Sequence, residues 1–88
     1  MEIYYYKNFK KNYKKRIFQN KKLSKVVANR IGIFMKNPKD PILNTHRLVG
    51  TKQNFYSFSV TGDIRIIFYY TNDGKVVLID IGSHNQVY

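Results

Sequence analysis

The sequence predicts an α+β fold of order β-α-α-β-β-β, in which a helix hairpin covers one face of an antiparallel sheet. Two apolar stripes of helical period lie in the first 36 residues, and three strand-like segments with turn signals follow a polar connection. Strands grouped after helices are typical of an α+β fold. At 88 residues, the chain is expected to form a single domain over residues 1–88.

The first half predicts one short strand and two helices. Residues 2–6 are rich in strand formers. From residue 8 to about 18, apolar residues recur every fourth position, and a second helix follows a cap at Asn20. That helix should end near Asn37-Pro38, since proline disfavours helical geometry in the residue before it. The two stripes are Phe9, Tyr13 and Ile17, then Leu23, Val26, Val27, Ile31 and Phe34.

The second half predicts three antiparallel strands at about 54–60, 64–70 and 75–81, after a polar connection over 38–53. If Asp73-Gly74 is a two-residue turn, the facing pairs on the covered side are Tyr70–Val77, Phe68–Ile79 and Ile66–Ile81.

On the other face, the same register sets Arg65 opposite Gly82 and Asp63 opposite His84. Arg65 and His84 are then diagonal neighbours, roughly 7–8 Å apart at the backbone. A three-residue loop, or a bulge at Gly82, would instead turn His84 away. An arginine inside an apolar strand either clamps an anion or pairs with a carboxylate, for which Asp80 is available.

The net charge of +11 is concentrated in residues 1–44, where twelve Lys and Arg residues stand against two acidic ones. Such a field attracts polyanions, so nucleic acid, an acidic protein and an anionic membrane surface all fit. The absence of cysteine excludes disulfides and thiolate sites, and two histidines with five acids favour neither a metal nor a cofactor. No apolar run approaches about 20 residues, so a cytoplasmic protein without a membrane span is expected.

Three segments resemble the RelE superfamily of toxins from type II toxin–antitoxin systems. They are Gly62-Asp63-Ile64-Arg65-Ile66-Ile67-Phe68-Tyr69, the terminal Ile81-Gly82-Ser83-His84-Asn85-Gln86-Val87-Tyr88, and His46-Arg47-Leu48-Val49-Gly50, which is similar to a segment of the YafQ branch. The resemblance covers nearly the whole chain. The sequence departs from the YafQ pattern at Ser59 and Ile64, where that branch has His and Trp, and Lys52 alone matches the lysines of the RelE branch.

The resemblance implies ribosome-dependent cleavage of messenger RNA, restrained by a cognate antitoxin, with promoter DNA bound only through the toxin–antitoxin complex. By position, Arg65 matches the phosphate-clamping arginine, His84 and His46 match the two YafQ-type histidines, and Tyr88 matches the terminal aromatic residue. Asp63 matches the aspartate before the central strand.

These residues suit metal-independent RNA cleavage, which needs a base for the ribose 2′-hydroxyl, a cation for the phosphorane and an acid for the leaving 5′-oxygen. We expect His84 to act as acid–base group, Arg65 as stabiliser and His46 as second proton-transfer group. Asp63 orients His84 or acts as base, and Tyr88 stacks on a base, donates a proton or simply packs. The residues expected to contact RNA phosphates are Lys10, Lys11, Lys14, Lys15, Lys21, Lys22, Lys25, Arg47 and Lys52.

Two alternatives stay open at this stage. One is a toxin of the same fold without nuclease activity, such as a ParE-like gyrase inhibitor, although that branch generally lacks the terminal His and Tyr. The other is a basic RNA-binding module, which leaves the convergence of Arg65 and His84 unexplained.

Overall fold

The computed structural model describes residues 1–50 and 54–88. Strand β1 and helices α1 and α2 come first, and a meander of four strands ends in a short helix, α3. The bounds are β1 Ile3–Tyr5, α1 Lys7–Arg16, α2 Lys21–Lys36, a 3-10 helix Pro41–Leu43, β2 His46–Arg47, β3 Tyr56–Ser59, β4 Ile64–Tyr70, β5 Val76–Ser83 and α3 His84–Val87. The predicted α+β order is confirmed, whereas β2, the 3-10 helix and α3 were not predicted.

The five strands form one sheet of order β1-β5-β4-β3-β2. The meander from β2 to β5 is antiparallel, but β1 pairs with β5 in parallel. The predicted antiparallel sheet is therefore confirmed for β2 to β5, and β1 adds a parallel pair at one edge that was not predicted. Helices α1 and α2 connect β1 at one edge of the sheet to β2 at the opposite edge. The meander then crosses back and places β5 beside β1, with both strands running in the same direction.

The two long helices bury the predicted stripes against one face of this sheet. Phe9, Ile17, Val27 and Phe34 are buried with strand residues, and the ring of Phe34 stacks on Phe58 at 4.6 Å. The side chain of Asn20 accepts a hydrogen bond from the Leu23 amide (3.0 Å), so the predicted cap is confirmed. The helix ends at Lys36, just before Asn37-Pro38 as predicted. No helix in the two described ranges is long and apolar enough to cross a membrane.

At the end away from its loop, the β4–β5 hairpin has the predicted register, but this register results from a longer loop combined with a bulge. Its loop contains three residues, because the Thr71 amide donates to the Lys75 carbonyl (2.8 Å) and Gly74 has a φ of +82°. A bulge then inserts Ile79, since Ile67 faces Asp80 while Phe68 faces Leu78. The longer loop shifts the register by one residue and the bulge shifts it back.

The predicted strand pairing is therefore correct on one side of the bulge and wrong on the other. Ile66 faces Ile81 and Arg65 faces Gly82, as predicted. Nearer the loop, Val76 and Leu78 are the buried β5 residues, so the prediction that Val77 and Ile79 fill the core was wrong. The predicted pairs Tyr70–Val77 and Phe68–Ile79 are replaced by Tyr70–Val76 and Phe68–Leu78.

Candidate active site on the second face of the sheet

The face of the sheet turned away from α1 and α2 carries a short row of polar residues. Ser59 lies opposite Arg65 in the β3–β4 pair, and Arg65 lies opposite Gly82 in the β4–β5 pair. Ser57 is two residues from Ser59 and therefore shares its face. Part of this face is covered by α3, in which Val87 is buried.

His84 does not continue β5 but begins α3. The last pair of the hairpin is Ile64 with Ser83, so the predicted pairing of Asp63 with His84 was wrong. The turn into the helix is stabilised by Gln86, whose side-chain oxygen accepts a hydrogen bond from the Ser83 amide (2.7 Å). This is one half of a capping box, so α3 begins immediately after the strand.

The helix brings Tyr88 back over the sheet. Its hydroxyl donates a hydrogen bond to the Ser57 hydroxyl (2.6 Å), across 31 residues of sequence. The His84 ring meets the Tyr88 ring edge-on, with centroids 4.5 Å apart. Since Ser57 is on the face that carries Arg65, both His84 and Tyr88 lie on that side of the sheet.

Arg65 is partly buried and is oriented by backbone carbonyls. Its Nη1 donates to the carbonyl of Thr61 (2.9 Å) and approaches that of Ile64 (3.5 Å). Both of its hydrogen bonds to described residues use this nitrogen, which leaves other guanidinium N–H groups available for an anion. Asp80, the carboxylate available in sequence as a partner for Arg65, binds other residues instead. It accepts a hydrogen bond from Asn12 (2.7 Å) and forms an ion pair with Arg16 (3.6 Å).

His46 lies in β2 rather than in an irregular loop, and its Cα pairs with that of Ser57. Its exposed ring lines a hollow of about 330 Å³ together with Tyr56 and Tyr70. The Nδ1 atom is 3.0 Å from the Asn44 carbonyl. Because a carbonyl can only accept a hydrogen bond, Nδ1 carries the hydrogen, and the Nε2 lone pair is left for a proton or a ligand.

Tyr70 lines the same cavity as His46. Its pKa is raised above the ordinary tyrosine value, mainly by burial and to a smaller extent by the neighbouring Tyr56.

Asp63 is exposed in the β3–β4 turn, where its amide donates to the Thr61 hydroxyl (3.2 Å). It lines a hollow of about 590 Å³ with Lys15, Arg16 and Gln86. The structure therefore sets Asp63 among basic residues at the end of the sheet, not opposite His84.

Gly82 is a point of close approach between α1 and α3. A Cβ atom at this position would lie 2.6 Å from Nη1 of Arg16 and 2.8 Å from Oε1 of Gln86. The same Arg16 nitrogen donates to the Ile81 carbonyl (2.9 Å). This bond binds α1 to the part of β5 that lies beyond β1.

The predicted RNA-contacting residues divide between two regions. Arg47 is exposed in β2, and Lys52 lies outside the described residues. The remaining ones are exposed on the helix hairpin: Lys10, Lys11, Lys14, Lys15, Lys21, Lys22 and Lys25. They form a basic surface on the helix pair, and its Lys15 also lines the cavity that contains Asp63 and Gln86. Among residues 1–50 and 54–88, no group of three or more His, Asp or Glu residues could share a metal ion.

Three residues of this region were missed at the level of sequence. Ser57 alternates with Tyr56 and Phe58, a period that assigns it to the polar face. Gln86 follows Ser83 by three positions, which is the spacing of a capping box. Arg16 carried no signal, because nothing in the helix distinguishes it from the neighbouring lysines.

Comparison with solved structures identifies the fold as that of small bacterial toxins. YafQ from Escherichia coli BL21(DE3) matches with a TM-score of 0.82 at 17% identity, covering 99% of this chain and 97% of that one. A copper-bound mutant toxin from Helicobacter pylori matches with a TM-score of 0.80 at 23% identity over 100% and 99%. The E. coli DinJ–YafQ complex matches with a TM-score of 0.79 at 17% identity over 99% and 97%.

The family sequence model described as the bacterial toxin of the type II toxin–antitoxin system, YafQ, matches residues 1–88. The chain therefore belongs to the YafQ family of type II toxins. A comparison with curated protein sequences yields no match.

Proposed function

We propose that the protein is a ribosome-dependent endoribonuclease that cuts messenger RNA and is held inactive by a cognate antitoxin. One arrangement carries the proposal: β5 passes Arg65 at Gly82 and leads directly into α3, whose His84 and Tyr88 rings contact each other above the same face. A permanent cation thus lies on the same side as a residue able to transfer protons near neutral pH.

In the proposed reaction, a base removes the proton of the ribose 2′-hydroxyl. The resulting oxygen bonds to the adjacent phosphorus while the bond to the 5′-oxygen breaks, and an acid protonates that oxygen. The products are a 2′,3′-cyclic phosphate, which hydrolyses to a 3′-phosphate, and a 5′-hydroxyl end.

His84 is proposed as an acid–base group, and Arg65 as the cation that stabilises the phosphorane. His46 is the second proton-transfer candidate, since its Nε2 is the nitrogen left without the hydrogen. Tyr88 keeps an exposed fraction of 39%, so its ring can stack on a nucleobase while its hydroxyl is bound to Ser57. Asp63 remains an alternative base.

The basic helix surface is proposed to dock on ribosomal RNA through phosphate contacts, which implies strong salt dependence and little sequence preference. The proposed location is the cytoplasm, where the ribosome is found. The antitoxin follows from the family and from the E. coli YafQ relative, whose structure includes DinJ. In this proposal the toxin contacts promoter DNA only as part of the toxin–antitoxin complex.

Arg65→Ala and His84→Gln test the nuclease, with Arg30→Ala as a control that removes the same charge from α2. Each site variant should lower the cleavage of messenger RNA on programmed ribosomes by at least about 100-fold. The control should keep most of the activity, and all three variants should still bind antitoxin. Full cleavage by both site variants would refute the assignment.

Mapping transcript 5′ ends during expression separates this function from the alternatives. Translation-dependent cuts with 5′-hydroxyl ends support the nuclease, whereas DNA breaks with intact transcripts indicate a gyrase inhibitor. Full cleavage by toxin that has been treated with EDTA and dialysed before it is added to the ribosomes supports chemistry without a metal ion held by the toxin.

A further inference from the structure

The guanidinium group of Arg16 lies over Gly82, at the end of β5 that extends beyond its pairing with β1. A Cβ atom on Gly82 would be 2.6 Å from Nη1 of Arg16, so only glycine leaves room for this side chain. The same nitrogen donates a hydrogen bond to the Ile81 carbonyl (2.9 Å), which fixes its position. Arg16 therefore reaches from α1 onto the sheet.

This point is on the face of the sheet that carries Arg65. Gly82 is directly opposite Arg65 in the β4–β5 pair, and directly opposite positions point to the same face. The Cβ positions of such a pair are about 4.5–5.5 Å apart. Nη1 of Arg16 is therefore within roughly 8 Å of the Arg65 Cβ atom. Two arginines from distant parts of the chain thus flank Gly82.

Both arginines keep donors for an anion. Nη1 of Arg65 donates to the Thr61 carbonyl (2.9 Å). Nη1 of Arg16 is used in the same way at the Ile81 carbonyl. Among residues 1–50 and 54–88, no hydrogen bond uses Nη2 or Nε of either side chain. These N–H groups can bind a phosphate or a carboxylate in bidentate fashion.

Asp80 is paired with Arg16 but does not occupy these donors. Its Oδ1 accepts hydrogen bonds from the Asn12 side chain (2.7 Å) and from the Ile81 amide (2.8 Å). The same oxygen is 3.6 Å from Nη1 of Arg16, which is too long for a hydrogen bond. The pair therefore stabilises the contact between α1 and β5 and leaves Nη2 and Nε of Arg16 for another anion.

A cavity of about 590 Å³ gives access to Arg16, whose side chain exposes 22% of its surface. Its lining includes Lys15 and Gln86, and it adjoins Gly82, which both Arg16 and Gln86 approach. Among the described residues, two cations and one carboxylate, that of Asp63, line this cavity. The cavity therefore favours an anion that enters beside Arg65.

We propose that Arg16 binds a second phosphate of the RNA strand, next to the phosphate held by Arg65. The inference rests on the proposed function, since it concerns the same substrate. Arg65 stabilises the reacting phosphate, and the cavity beside Gly82 receives its neighbour. Because two fixed phosphates determine the direction of the strand, they align the ribose 2′-hydroxyl with the phosphorus that it attacks.

Arg16→Gln tests the proposal in the full chain on programmed ribosomes. It should lower the cleavage of messenger RNA by at least about 10-fold, because a charge-assisted hydrogen bond to the phosphate is lost. Arg16→Lys keeps the charge and should recover part of the activity. Arg30→Gln makes the same charge change in α2 and should alter cleavage by less than about 2-fold.

Asp80→Asn separates phosphate binding from a purely structural role. Like Arg16→Gln, it removes the ion pair, so both variants should lower the urea midpoint. Asp80→Asn keeps the guanidinium at the Ile81 carbonyl, however, and should lower cleavage by less than about 3-fold. Equal losses of cleavage in the two variants would overturn the proposal, since Arg16 would then act only through stability.

A single uncharged linkage identifies the second phosphate. Synthetic messenger RNAs carry one methylphosphonate on either side of the cleaved linkage, each with a 2′-deoxyribose before it. At one of these positions the wild type should lose at least about 10-fold in cleavage. Arg16→Gln should lose less than about 3-fold there, since it no longer binds that phosphate. Equal sensitivity of the two proteins at both positions would also overturn the proposal.

The anion site can also be measured without cleavage. Titration with inorganic phosphate should shift the NMR signals of the Arg16 Nε–H group and the Gly82 amide to saturation, while the Arg30 Nε–H signal moves little. If the wild type cuts no RNA, the nuclease proposal fails and these shifts alone decide on the anion site. If the wild type cuts RNA and Arg16→Gln stays fully active, the second phosphate site fails alone.

Discussion

The hydroxyl of Tyr88 donates a hydrogen bond of 2.6 Å to the hydroxyl of Ser57, which is fully buried in β3. This contact fixes the chain terminus to the sheet. Through the edge-on contact with His84, it also restrains the candidate acid–base group. Ser57 is therefore a positioning residue in the proposed mechanism.

The two ends of this bond should respond unequally to mutation. Tyr88→Phe leaves the buried Ser57 hydroxyl without its partner and should cost about 1–3 kcal/mol of unfolding free energy. Ser57→Ala leaves the Tyr88 hydroxyl, which can reach water, and should cost about 0.5–1.5 kcal/mol. Urea unfolding of both variants and of the double variant measures the difference. A larger loss for Ser57→Ala would contradict this account.

Gly82→Ala should loosen the junction of α1, β5 and α3. The added methyl group displaces the ends of Arg16 and Gln86, which hydrogen bond to the Ile81 carbonyl and the Ser83 amide. Losing these bonds should lower the unfolding free energy by about 1–3 kcal/mol. Gly62→Ala is the matched control, since a Cβ atom there meets nothing within 4 Å. Chemical denaturation should separate the two variants, and equal stability would be evidence against a tight junction.

Gly32→Ala should stabilise the protein. The position lies inside α2, and a methyl group there meets no atom within 4 Å. Replacing glycine by alanine within a helix is favourable by about 0.5–1 kcal/mol. An increase in the urea midpoint at constant m-value would verify the gain, whereas a decrease would reveal strain in the helix pair.

The β4–β5 loop should make stability dependent on pH. A hydrogen bond from the Thr71 hydroxyl, and then the Lys75 ammonium, lower the pKa of Asp73. Because the folded pKa lies below the unfolded one, the contribution is complete above the ordinary carboxyl pKa of about 3.9 and is lost as pH falls through the folded value. In urea unfolding, the difference in denaturation midpoint between wild type and Asp73→Asn should therefore become smaller as the pH is lowered from 6 to 2. A difference that stays constant would exclude this carboxylate as the cause.

Features encoded within a few residues were predictable. Asn20 and Pro38 define the ends of α2. The run of strand-forming residues between two turn signals predicted β4 at its observed bounds, Ile64–Tyr70. These signals depend on local backbone preferences and on which side chains must be buried.

Features that depend on distant parts of the chain were not predictable. The parallel pairing of β1 with β5 depends on the path of the whole meander. The separation of Asp63 from His84 depends on whether the chain continues as strand or turns into helix at Ser83. The binding of Tyr88 to Ser57 joins positions 31 residues apart, and neither residue alone indicates the other.

The three-residue loop and the bulge at Ile79 also have an evolutionary consequence. Each alone would shift the pairing by one residue and turn Gly82 away from Arg65, but together they cancel. Selection on the pairing of Arg65 with Gly82 therefore acts on loop length and bulge jointly. A homologue that shortens the loop by one residue should also lose the extra residue in β5, so insertions and deletions in this hairpin are expected to occur in compensating pairs.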